Sequence, residues 1–300
     1  MQTPVQDILD LKKKKNAIIL AHNYQLPEIQ DIADFTGDSL NLSRKAAATD
    51  AELIVFCGVH FMAETAKIIS PEKKVILPDP SAGCPMADMI TAQQLREFKA
   101  KHPGCPVVCY VNSTAEVKAE SDMCCTSSNA VNVVRSLPKG KTVLFVPDKF
   151  LGAWVKKQTG YDIRCWNGFC PTHMRVTREM LDNARARHPS AAVLVHPECL
   201  GEVCEGADQV LSTGQMLEFV KKSDKKEFII GTEKGLLHQL EKQNPGRAFY
   251  LVTKDLICPN MKRITLEKLL SALKEEKVEI TVSPDVADRA RRAIEKMLVL

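Results

Sequence analysis

Ala17-Ile18-Ile19-Leu20-Ala21-His22-Asn23-Tyr24 runs from apolar residues straight into a polar cluster, and the same step recurs twice along the chain. Val107-Val108-Cys109 leads into Tyr110-Val111-Asn112, and Val193-Leu194-Val195 into His196-Pro197-Glu198. A short apolar run stopped by polar residues reads as a buried strand with functional groups past its carboxyl end. Each copy continues through a hydroxyl-rich turn: Thr36-Gly37-Asp38-Ser39, Thr126-Ser127-Ser128-Asn129 and Ser212-Thr213-Gly214-Gln215. A second apolar strand then ends in a turn, at Phe56-Cys57-Gly58, Phe145-Val146-Pro147 and Ile229-Ile230-Gly231. A helix, a third strand and a Cys-Pro pair complete the copy, and the cysteines Cys84, Cys170 and Cys258 are 86 and 88 residues apart.

A repeat of this length holds three strands with helices between, which is one small layered domain rather than a solenoid unit. The expected fold is α/β: three pseudo-threefold-related three-layer α/β/α domains with parallel sheets around a central cavity. Residues 1–88 with 264–300 form the first domain, 89–174 the second and 175–263 the third. In segment 264–300, Leu266 to Leu273 and Val286 to Leu298 have helical periodicity, with a strand expected from Val278 to Val282. Three sets of strand ends facing one axis would place three sulfurs and three polar clusters in one cavity.

The 300 residues are 45% hydrophobic and 26% charged, enough apolar content for a large core. A net charge of +4, two Trp and four Tyr without basic interleaving argue against nucleic-acid binding. The run Lys12 to Lys15 closes an amphipathic helix and reads as a solvated face. Ala17 to Ala21 is too short for a leader or a membrane span, so the expected place is the cytoplasm.

Eleven cysteines in a reducing compartment are core residues, metal ligands or nucleophiles rather than disulfides. Eight have ordinary structural readings, Cys57 and Cys109 inside apolar strands among them. Cys84, Cys170 and Cys258 differ because each holds the same place in its repeat and precedes a proline, which favours an exposed turn. Three thiolates without a close Cys-x-x-Cys pair suit a 4Fe-4S cluster with one open iron slightly better than a catalytic zinc. An open iron is a Lewis acid suited to dehydration.

Ala21-His22-Asn23-Tyr24-Gln25, Gly37-Asp38-Ser39, Tyr110-Val111-Asn112-Ser113-Thr114, His196-Pro197-Glu198-Cys199 and Ser212-Thr213-Gly214-Gln215-Met216, with the three Cys-Pro sites, resemble the quinolinate synthase family in order and spacing. The resemblance spans nearly the whole chain. It implies a cytoplasmic dehydrating synthase of NAD biosynthesis, with a 4Fe-4S cluster on Cys84, Cys170 and Cys258. Iminoaspartate and dihydroxyacetone phosphate would condense to quinolinate with loss of two waters and phosphate. The aspartate-oxidising enzyme that supplies iminoaspartate is the expected protein partner.

The resemblance also implies roles. Tyr24 and Glu198 match the family's pair for proton transfer, with His22 and His173 beside them. Glu198 is expected to need a raised pKa; its plainer reading is a residue at a helix start. His22, His173 and His196 are three of seven histidines and all fall at strand ends or beside a ligand cysteine. Tyr110 and Asn112 alternate with Val111, so both can face the cavity. Ser39, Ser127, Ser212 and Thr213 lead into helices, where a hydroxyl caps the helix or meets a bound anion. Met261 and Asn260 resemble cavity lining. Two other classes stay open: another open-iron hydro-lyase, and a non-catalytic iron-sulfur sensor, which would need a docking or DNA-reading element absent from the sequence.

Overall fold

The computed structural model describes residues 3–300. One order of elements runs through it three times. The first repeat is α1 (Pro4–Lys14), β1 (Ala17–His22), α2 (Pro27–Ile32), β2 (Phe35–Gly37), α3 (Ser39–Ala48), β3 (Leu53–Cys57), α4 (His60–Ile69) and β4 (Lys74–Ile76). The second is α5 (Ala92–Ala100), β5 (Val107–Tyr110), α6 (Ala115–Ala119), β6 (Met123–Cys125), α7 (Ala130–Arg135), β7 (Val143–Val146), α8 (Lys149–Thr159) and β8 (Ile163–Cys165). The third is α9 (Arg178–Arg187), β9 (Ala192–Val195), α10 (Gly201–Gly206), β10 (Gln209–Val210), α11 (Thr213–Lys222), β11 (Glu227–Gly231), α12 (Leu236–Gln243) and β12 (Ala248–Leu251). Helices α13 (Leu266–Glu275) and α14 (Pro284–Leu298) follow.

Each repeat builds a four-stranded parallel sheet of the same order: β2-β1-β3-β4, β6-β5-β7-β8 and β10-β9-β11-β12. The two central strands of each sheet are covered on both faces, which explains their unbroken apolar composition. The sequence reading expected three strands per repeat. The missed strands β2, β6 and β10 have two or three residues each and no apolar run to announce them.

Helix starts follow capping chemistry. Asp38, Thr114, Asp148 and Ser212 each accept a backbone N–H of the first turn, at the point where the chain leaves a strand end. The larger core passes through all three repeats, from Ile19 and Phe56 through Phe145 to Phe228. A separate core of Val193, Val195, Ile229 and Leu256 lies in the third.

Residues 264–300 form the two expected helices, but Val278 to Val282 is not a strand. It makes one antiparallel bridge, Ile76 with Glu279, at the edge of the first sheet. Helix α13 packs on α1, while α14 lies against α4, α6 and β6 and so touches both of the first two repeats. The lysine run is partly paired rather than simply solvated: Lys12 Nζ donates to Asp34 Oδ1 at 2.6 Å, and Lys15 bonds Glu276. No helix of the described residues is long and apolar enough to cross a membrane.

Candidate active site

Strand register fixes which residues are equivalent. Ala21, Cys109 and Val195 pair with Cys57, Val146 and Gly231 on the neighbouring central strand. The next residues, His22, Tyr110 and His196, therefore share one position, and Tyr24, Asn112 and Glu198 share another. On the other side the same three pair with Thr36, Cys124 and Val210. Three residues further on stand Ser39, Ser127 and Thr213. All nine line one cavity, together with Cys84, Cys170, Cys258 and His173.

Of the sequence-predicted residues, only Ser212 and Asn260 are not on the cavity wall. Ser212 is equivalent to Asp38, and it caps α11 one step behind Thr213. Asp38 gathers the helix starts. Its Oδ2 accepts from Ser128 Oγ at 2.7 Å and Ser212 Oγ at 3.3 Å, and its Oδ1 from the Asn41 N–H at 3.0 Å. The convergence of helix starts thus already holds one carboxylate, which leaves neutral hydroxyls rather than bare amides facing a ligand.

His22 and His196 are built alike. The backbone N–H two residues on donates to Nδ1 in each, from Tyr24 at 3.2 Å and from Glu198 at 3.3 Å. Burial lowers His22 to about 4 and His196 to about 3, so both imidazoles are neutral near pH 7. With Nδ1 accepting, the proton sits on Nε2. In His196 that nitrogen lies 3.2 Å from Ser127 Oγ.

Glu198 departs from expectation. Burial would raise it, but His196, His173 and hydrogen bonds from His173 and Tyr110 outweigh burial and hold the carboxyl well below the usual range. It lies in the turn before α10, not in a helix. Tyr110 Oη donates to Glu198 Oε1 at 2.6 Å, and His173 Nδ1 lies 2.7 Å from Oε2. An ionised carboxylate only accepts, so Nδ1 of His173 carries the proton. On the other side of the ring, His173 Nε2 lies 2.8 Å from Thr232 Oγ1, which lies 2.5 Å from Tyr24 Oη. Burial and the charge of Glu198 raise the Tyr24 phenol well above its ordinary value, so it is a proton donor.

Thr232 was missed in the sequence for a definable reason. Register makes it equivalent to Gly58 and Pro147, whereas the apolar pattern had placed Gly231 there. Counting from the polar cluster of the neighbouring strand would have found it.

Each cysteine turn is also built alike. Burial pushes the Cys84 thiol up to about 12 and raises Cys170 and Cys258, against backbone N–H groups of residues two or three further on that bond the sulfur. Those amides come from Met86 and Ala87, from His173, and from Asn260 and Met261. Three thiols free of disulfides that line one cavity, each with an amide donor already aimed at it, fit a cluster that needs three thiolates. Cys170, His173 and Glu198 form a second candidate set, their donor atoms all within 4.8 Å of one another.

Comparison with known proteins agrees over nearly the full length. The family model described as quinolinate synthetase A protein matches residues 6–299. Curated proteins named quinolinate synthase are similar throughout. One from Dehalococcoides mccartyi is 58% identical over 291 residues, covering 97% of this chain and 96% of its own. One from Alkaliphilus metalliredigens is 55% identical over 295 residues, covering 98% and 97%. One from Thermodesulfovibrio yellowstonii is 54% identical over 297 residues, covering 99% and 98%.

Proposed function

Because the chain belongs to the quinolinate synthase family and is a synthase acting on small molecules, we propose that its cavity condenses iminoaspartate with dihydroxyacetone phosphate to quinolinate, releasing two waters and phosphate. The observation that carries this reading is the meeting, in one cavity, of three equivalent cysteine turns and a continuous hydrogen-bonded chain from Tyr24 to Glu198.

Cys84, Cys170 and Cys258 would hold a 4Fe-4S cluster, and with three protein ligands for four irons it supplies a Lewis acid for a substrate oxygen or nitrogen. The remaining work falls to the chain. Glu198 stays ionised and fixes the tautomer and orientation of His173, as the buried carboxylate of a hydrolytic triad does for its histidine. With Nδ1 of His173 donating to Glu198, its Nε2 accepts from the Thr232 hydroxyl, whose oxygen accepts from Tyr24. A proton taken from substrate at the Tyr24 end passes along this line to Nε2 of His173, and the imidazolium so formed returns it along the same line to a leaving group.

Substrate anchoring draws on neutral donors. The Nε2–H groups of His22 and His196, the hydroxyls of Ser39, Ser127 and Thr213 and the amide of Asn112 face carboxylate and phosphate oxygens, while Ser212 acts from behind through Asp38. Neutral donors hold a dicarboxylate without fixing a charge that the aromatic product would no longer match.

The donor set Cys170, His173 and Glu198 favours a second reading, a single catalytic metal ion such as zinc. One experiment separates the two. Protein purified without oxygen is assayed for iron, sulfide and zinc, and for quinolinate formed from the two substrates. The cluster reading expects about four iron and four sulfide per chain, with both metal and product lost in C84A, C170A and C258A. One zinc per chain, retained in C84A and C258A, would establish the second reading instead.

A further inference from the structure

Glu233 is fully buried, lines the cavity, and takes no part in the hydrogen-bonded chain from Tyr24. By register it stands where the first repeat has Val59 and the second Asp148, two residues past a central strand. A buried carboxylate is costly unless its oxygens are partnered, and here both are. Oε1 accepts the backbone N–H of Cys258 at 3.2 Å and lies 3.0 Å from Lys262 Nζ. Oε2 accepts the Gly235 N–H at 2.7 Å and meets Lys262 Nζ at 3.1 Å.

Lys262 has a further bond, to the backbone carbonyl of Tyr24. A side chain at Gly235 would break this junction, since a Cβ there would stand 2.8 Å from Glu233 Oε2 and Lys262 Nζ and 2.9 Å from the Tyr24 carbonyl carbon. Gln30 Nε2 fastens the same place, donating to the carbonyls of Gly235 and Gln25 at 2.9 Å and of Asn23 at 3.1 Å. One ion pair therefore ties the backbone of the third cysteine turn to that of the Tyr24 loop. The other repeats lack the ion pair: Val59 is apolar, and Asp148, which caps α8 and is also bonded by the Cys170 backbone N–H, makes no ion pair among the described residues.

We propose that Glu233 and Lys262 are a positioning pair that locks the Cys258 turn to the Tyr24 loop, so that the ligand sulfur and the proton-donating phenol are set in place together. The part concerning metal rests on the reading of Cys258 as a cluster ligand. Loosening either segment then loosens the other, although neither side chain of the pair touches a reacting atom.

The test uses full-length protein purified without oxygen, unchanged and as E233Q, K262M and E233Q/K262M. Hydrogen exchange is followed at amides 22–26 and 256–262, and the visible absorbance is followed after addition of an iron chelator. K262M should speed exchange in both segments by about tenfold, the yield of losing one hydrogen bond to a charged group, while β5 and β9 stay protected. Cluster loss should quicken by a similar factor. E233Q, whose amide nitrogen must face one of the donors that Glu233 accepts from and which leaves Lys262 without its counter-charge, should speed exchange in both segments as well. If K262M does not fold, the double variant, which leaves no unpaired buried charge, carries the test, with both segments again expected to exchange faster. Exchange confined to residues 256–262 in K262M, or a Tyr24 loop unchanged in the double variant, would overturn the proposal. Unchanged protein free of iron and sulfide would sink the cluster reading instead, and the exchange result, which needs no metal, still decides the coupling.

Discussion

Thr232 carries a sharp expectation. Its hydroxyl is the one atom that bonds both Tyr24 Oη and His173 Nε2 closely, since those two are themselves 3.4 Å apart. T232V keeps the shape and removes the hydroxyl, so kcat for quinolinate should fall by about 10²-fold, the usual worth of a positioned proton-transfer group. T232S should restore most of it, and steady-state kinetics on both variants checks this. At this scale the sequence was legible where chemistry and repeat position coincide: His22, Tyr110 and His196 stand in one register, as do Tyr24, Asn112 and Glu198. It was illegible where partners decide the state. Glu198 alone in a partly apolar cavity would be raised, and only the two imidazoles and the Tyr110 hydroxyl reverse the sign.

Helix α14 is an element whose worth can be measured. It buries Ala290, Ala293, Ile294 and Met297, and its Met297 carbonyl accepts from Asn129 Nδ2 at 3.0 Å beside the start of α7. I294A removes a fully buried side chain from the seam between the first two repeats and should cost about 2–5 kcal/mol, read as a lower urea midpoint. Helices and central strands were readable because an apolar stripe or an unbroken apolar run marks them. The short strands β2, β6 and β10 were not, because a two- or three-residue strand is created by the neighbour it pairs with, not by its own composition. Segment 278–282 alternates like a strand yet gains only one bridge, as β4 offers it three residues of edge.

For the whole molecule, the buried neutral histidines set the response to acid. An unfolded histidine titrates near 6.5, while His22 and His196 do so at about 4 and about 3. Below pH ~6.5 the unfolded chain therefore binds protons that the folded one refuses, and stability falls by about 1.4 kcal/mol per pH unit for each histidine. Glu198, held low in the folded state, adds a loss of the same sign once pH falls below the ordinary carboxylate range. Melting temperature should drop between pH 7 and pH 5, and H22Q should make that slope shallower. A flat profile would show the imidazoles charged in the fold. Helix α13 has one more effect, on the order of assembly. Its buried Leu269 and Leu273 pack on α1, beside Ile8, so the outer layer of the first sheet comes from residues made some 250 positions later. On the ribosome the first repeat must therefore wait, with its apolar face uncovered, while the second and third are synthesised, and such long-range closure is slow and prone to misassembly. Tyr24, whose carbonyl meets Lys262 and whose hydroxyl meets Thr232, gains these contacts only once the third repeat is made, which ties maturation of the cavity to completion of the fold.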